Sequence, residues 1–157
     1  MPQFHGGAPI ISLCLINRKK VKNERNSAIC DISFVDLRRR KQMPARISLV
    51  SMSVTKATAE RWPILIEHMD NAADVSGGDL APGEARTAAL FRRESGPFEN
   101  AANGNRPTIV TAQGCVLMRG GVPLIAGGEI VGGIGFAADT PDYDEQIARA
   151  GAEVLAK

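Results

Sequence analysis

Aromatic side chains are scarce in this sequence. One Trp, one Tyr and five Phe leave a core that aliphatic side chains must fill, and 16 glycines allow backbone segments to approach closely. Cysteine is equally thin. Cys14, Cys30 and Cys115 lie far apart with no CxxC spacing, which indicates neither a zinc site nor a disulfide framework and leaves reduced, buried thiols. Only two histidines, His5 and His68, are available as ligands or bases. No Ser-His-Asp order, HExxH helix or phosphate-cradling P-loop is present. Long apolar runs are missing too. Ile10 to Ile16 is about seven residues, too short to cross a membrane, and the basic Arg18, Lys19 and Lys20 follow it instead of preceding it as in a secretory signal. No membrane association is expected, and the lack of an export signal points to the cytoplasm.

What is there suits one globular domain. The chain has 157 residues, 44% of them hydrophobic, and a net charge of +2, with basic residues gathered in the first third. A block such as Arg38 to Lys41 is more often solvated surface than a nucleic-acid site, so no nucleic-acid partner is expected.

The segments 1–46 and 47–157 read differently. The first has two apolar patches, Ile10 to Ile16 and Ile29 to Val35, without helical periodicity, and at most a short helix from Ile32 to Gln42 capped by Asp31. It is an atypical N-terminal segment. From Ile47 to Val54 the residues alternate as a strand, with Pro63 to Glu67 as its partner. Gly77-Gly78 and Pro82-Gly83 read as turns before a helix from Glu84 to Arg92, which presents Ala85, Ala88, Ala89 and Phe91 for packing. Residues 94 to 107 read as loop. Strands are expected at Thr108 to Thr111 and around Cys115 to Met118.

The last third is the most explicit. Val122, Leu124 and Ile125 lead into Gly127-Gly128, whose positive-φ residues suit a tight hairpin turn, and Glu129-Ile130-Val131 begins the returning strand. Glycines at 132, 133 and 135 leave one side of that strand nearly bare, so something must pack closely there. Because this glycine run lies inside a hairpin and not between strand and helix, it is not a dinucleotide fingerprint. Thr140 is positioned as an N-cap, Pro141 suits the first helical position, and Asp142, Asp144 and Glu145 complement the helix dipole. Ile147, Ala150, Gly151, Val154 and Leu155 form the stripe of a terminal packing helix. The element order predicts an α+β fold, an antiparallel β-sheet flanked by helices.

Residues from about Ile47 to Lys157 resemble a family of small haem-binding or haem-degrading proteins that includes GlcG-like proteins and the C-terminal domain of PduO-type corrinoid adenosyltransferases. The resemblance lies in Gly120-Gly121-Val122-Pro123-Leu124, in Glu129 to Gly135, and in Asp139-Thr140-Pro141-Asp142-Tyr143-Asp144. Upstream, Glu84-Ala85-Arg86-Thr87-Ala88-Ala89 is similar to the family's Lys-Ala-Arg-Thr-Ala-Ala helix, and His68-Met69-Asp70-Asn71-Ala72 stands in place of its Arg-Met-Asp-Gly-Ala turn. The resemblance implies a PAS- or profilin-like sheet, haem as cofactor and a homo-oligomer. Three departures stand out. Glu84 reverses the charge of the family's lysine, Arg119 replaces a glycine, and the long amphipathic helix that carries an iron-ligating histidine in haem-binding members is not legible here.

The candidate site follows. His68 is the metal-ligand candidate, since imidazole is an ordinary axial ligand of haem iron, although a turn histidine beside Glu67 and Asp70 needs no function. His5 substitutes only if its segment docks. Met69 and Met118 are alternative soft ligands, more often core filler. Arg86 and Arg119 suit haem propionates or another anion, or structural ion pairs, and Gly120 and Gly121 supply exposed backbone beside them. The function expected is binding of a small molecule, haem, in degradation or sensing. The alternative is a non-catalytic oligomeric accessory module of a metabolic pathway that does not bind haem. An enzyme acting on a small organic acid is weaker, because no nucleophile or base pair stands out.

Overall fold

Strand pairing and helix packing build the fold from Ser51 onward in a computed structural model that describes residues 51–56, 63–68, 76–138 and 140–153. Residues 1–46, with the expected Ile32 to Gln42 helix, lie outside the described residues, as do Val154 and Leu155. The two early strands are β1 (Ser51–Lys56) and β2 (Pro63–His68), paired antiparallel. The glycine-turned hairpin is β3 (Gly121–Ala126) and β4 (Glu129–Ala137). Gly127 and Gly128 have φ of 59° and 79°, the left-handed pair that a tight two-residue turn requires. β4 also pairs antiparallel with β1, giving one sheet in the order β2-β1-β4-β3. The α+β class is as the sequence predicts.

Helix α1 (Gly77–Phe91) begins seven residues before the predicted start at Glu84. Gly77-Gly78 and Pro82-Gly83, which read as turns, are helical. Pro82, the sixth residue of α1, lies inside the helix and removes one of its hydrogen bonds, and Gly83 serves contact instead of turning: a Cβ there would overlap the Val116 side chain. Small residues dominate the buried side of α1, with Ala81, Ala85, Ala88 and Ala89 at most 5% exposed. Phe91, expected in that packing face, is instead 42% exposed and stacks on Phe98, with ring centroids 4.7 Å apart.

The reading of 94 to 107 as loop is also corrected. Helix α2 (Gly96–Asn103) occupies it, with Ser95 at the N-cap position, Pro97 at its start and Glu99 in its first turn. Thr108 to Thr111 is not a strand but part of a 3-10 helix, Pro107–Thr111. Pro107 presets its backbone, and the Thr111 hydroxyl donates to the Thr108 carbonyl at 2.8 Å, so local bonding overrides the β-branched preference. Cys115 to Met118 is irregular. Val116 is held by α1: its N–H donates to the Gly83 carbonyl at 3.4 Å, and its carbonyl accepts from the Thr87 hydroxyl at 2.8 Å.

Helix α3 (Pro141–Ala152) starts where the sequence predicts, but Thr140 makes no side-chain capping bond. Its buried residues include Ile147 and Gly151 of the expected stripe. α1 lies on the face of the sheet toward which Gly133 and Gly135 point, because a Cβ on either would collide with the backbone of Ala85 or Ala81. Alternation sends Ile134 and Phe136 to the other face, where both are fully buried, and α3 packs against β3 and β4.

This contact predicts a sharp asymmetry among glycine substitutions. Gly133→Ala and Gly135→Ala should each lower unfolding stability by about 2–3 kcal/mol in denaturant titrations. Gly78→Ala, which meets nothing within 4 Å in the early turns of α1, should raise it by about 0.5–1 kcal/mol.

Candidate functional site

The chain between the irregular segment and β3 turns at Gly120, whose φ of 145° excludes most side chains. There Gly120 and Gly121 slide between α1 and α2. A Cβ on Gly121 would strike the Glu84 carbonyl, and one on Gly120 would strike the Phe136 carbonyl and the Glu84 carboxyl. Ser95, fully buried, clamps the turn from the other side: its N–H donates to the Gly121 carbonyl at 2.9 Å, and its hydroxyl accepts from the Gly121 N–H at 2.8 Å. That second bond explains why Ser95 does not cap α2.

Arg119, immediately before the turn, anchors an ionic network. Its backbone N–H donates to Glu99 Oε2 at 2.7 Å, while its guanidinium reaches Glu145 Oε2 at 2.9 Å and Asn100 Oδ1 at 3.0 Å. Asp142 lies 3.7 Å from its Nε. Glu145 also accepts from Arg149 at 2.6 Å, and Arg149 holds Glu94 through two bonds of 2.9 and 2.8 Å. Hydrogen bonding to Arg149 keeps the Glu94 carboxyl below the usual carboxylate range. The network ties α2, α3 and the start of β3 together, centred on a Glu145 side chain only 9% exposed.

Glu84 is the unusual group. It is 1% exposed, and its Oε2 has no hydrogen-bond partner. Desolvation by burial, reinforced by nearby Asp144 and Glu99, pushes its pKa up to about 10 despite a backbone hydrogen bond from Phe136.

Of the candidates read from sequence, Arg119, Gly120 and Gly121 come together. His68 ends β2, exposed, on the edge strand opposite β3. Three strand spacings separate those two edges, roughly 14 Å. Arg86 projects from α1 toward the irregular segment, with NH1 donating to the Gly114 carbonyl at 3.4 Å and a buried Nε lacking any acceptor. Met118 is exposed, whereas His5 and Met69 lie outside the described residues. Sequence reasoning missed Ser95, Glu99 and Glu145 as partners of the turn. It noted Glu84 only as a charge reversal, although the helical spacing of Ala81, Glu84, Ala85 and Ala88 places that glutamate beside the small-residue face. Among the described residues no cluster of three or more His, Cys, Asp or Glu side chains is arranged to hold a metal ion. No helix among them is long and apolar enough to cross a membrane.

An antiparallel sheet with its glycine face on a small-residue helix and a clamped glycine turn at the head of its last hairpin defines an α+β domain of HbpS-like fold. The crystal structure of HbpS superposes with a TM-score of 0.67 at 26% identity, over 84% of this chain and 87% of that one. Residues 40–153 match the family described as haem degrading protein HbpS-like, and the chain belongs to that family. Protein GlcG of Escherichia coli strain K12 is 36% identical over 107 residues, which cover 68% of this chain and 79% of GlcG. A PduOC:heme complex shares the fold, with a TM-score of 0.62 at 17% identity over 83% of this chain and 91% of that one.

The ionic network predicts that Arg119→Gln lowers stability by about 1–2 kcal/mol, because half-buried Glu99 and buried Glu145 lose a charged donor. Thermal denaturation at low and high salt checks this, with a loss that persists in high salt marking the partly buried pairs.

Proposed function

We propose that this protein binds haem as its small-molecule ligand. The observation that carries the reading is membership of a family described as haem degrading, over residues 40–153, with the fold shared by a PduOC:heme complex as further support. The residues present suit such a ligand. Exposed His68 offers an imidazole for iron, and the Arg86 guanidinium, whose exposed NH1 reaches the Gly114 carbonyl, offers a cation to a propionate carboxylate. Arg119 is committed to its carboxyl partners, so in this reading it shapes the Gly120-Gly121 turn and does not itself grip the propionates. Bound haem would supply a redox-active iron, and its degradation or sensing is the role built on that binding.

A second reading is an accessory module that self-assembles without haem in a metabolic pathway. It is favoured by the exposed apolar side chains Phe91, Val110, Met118 and Ile125, which are 42–66% exposed.

A haemin titration followed by visible absorption separates the two. A saturable, one-to-one Soret shift is expected, with His68→Ala weakening binding on the order of tenfold or more and Arg86→Ala weakening it without changing the ligand-field bands. No shift, together with an oligomer in analytical ultracentrifugation, would establish the accessory module instead. With haem bound, decay of the Soret band under reductant and oxygen supports degradation, and a stable band excludes it.

A further inference from the structure

Glu84 takes no part in the haem reading, yet its surroundings are built. Its carboxyl is enclosed by Gly120 on one side and by β4 at Phe136 on another, while its backbone carbonyl lies against Gly121. The charged groups acting on it are Asp144 of α3 and Glu99 of α2, and Arg119 lies next to the Gly120 that packs on it. Arg119 is turned toward Glu145, Glu99 and Asp142, and among the described residues no cation pairs with Glu84. An ionised carboxyl in that position would be buried, unpaired and beside further acidic groups, an arrangement that proteins avoid by keeping the proton.

We propose that Glu84 is a proton lock: as a neutral carboxylic acid it keeps α1 seated against the Gly120-Gly121 turn, and the lock opens only when water reaches it and takes its proton. The Phe136 N–H, shared with the Gly120 carbonyl at 3.2 Å, also serves one carboxyl oxygen, so the proton resides on the unpartnered Oε2, packed against Gly120. Opening α1 away from the turn hydrates Glu84 and returns it to an ordinary carboxyl, with a value near 4.5 against about 10 when closed. Between those values the closed form carries one more proton than the open form. Opening therefore releases a proton and becomes about tenfold more frequent per unit rise in pH. Below about pH 4.5 both forms are protonated and the dependence vanishes, as it does again above about pH 10, where both are ionised. The linkage thus acts through the neutral range, loosening the seat of Arg119, Gly120 and Gly121 as pH rises.

Amide hydrogen exchange of the full chain tests this at Gly121 and Phe136, whose N–H groups bond Ser95 Oγ and the Gly120 carbonyl and so hold the turn against which Glu84 packs. After correction for intrinsic exchange, protection at these amides should fall about a hundredfold from pH 6 to pH 8 in the wild type, and remain flat in Glu84→Gln. A flat wild-type profile, or an unchanged slope in Glu84→Gln, overturns the proposal. Should Glu84→Gln fail to fold, infrared difference spectra of the wild type decide: a protonated carboxylic acid band retained at pH 8 supports the lock, and its absence overturns it. Haem binding enters neither readout, so failure of the haem reading leaves this test intact.

Discussion

Everything in this fold depends on how closely α1 can approach the sheet. Side chains normally hold a helix and a sheet about 10 Å apart, but here glycines at 121, 133 and 135 let the carbonyls of Glu84, Ala85 and Ala81 rest almost on the strand backbone. The alanines of α1 complete the fit, since none is large enough to prop the layers apart. A chain with so few aromatics gains cohesion this way, through many short dispersion contacts between small groups in place of a few large interlocking rings.

Close approach has an electrostatic consequence. When backbones meet, the side chain that leaves the helix at the contact has little room and little water, and Glu84 is that side chain. The nearby positive charge is gathered by Glu145, Glu99 and Asp142 through Arg119, and by Glu94 and Glu145 through Arg149. The carboxylates of the outer layer share two arginines, while the inner position depends on a proton. One glycine turn stands between the two regimes.

The parts of the fold written in local chemistry were legible in the sequence. Gly127-Gly128 fixed the hairpin, and Thr-Pro followed by acidic residues located the start of α3, because each signal acts over a few neighbouring residues. The glycines at 133 and 135 announced a close partner without naming it. Misreadings fell where a residue answered to a distant contact: Gly83 looked like a turn but makes room for Val116, and Thr108 to Thr111 looked extended until Pro107 and the Thr111 hydroxyl wound it. The site was only partly readable for the same reason. Arg119, Gly120 and Gly121 are contiguous and were seen together, whereas Ser95, Glu99 and Glu145 reach the turn from separate helices and no spacing along the chain connects them.

Pro123 sits within β3, opposite Gly133 of β4. Among the described residues β3 lies at the rim of the sheet, and a proline tolerated in a paired strand has its missing N–H on the unpaired side. The outer rim therefore lacks one rung, so another strand laid along it would meet a gap at its middle. Growth of the sheet by edge-to-edge addition is discouraged on that side. Copies of this chain that associate would then do so elsewhere than along β3, keeping the glycine-rich hairpin from seeding fibres.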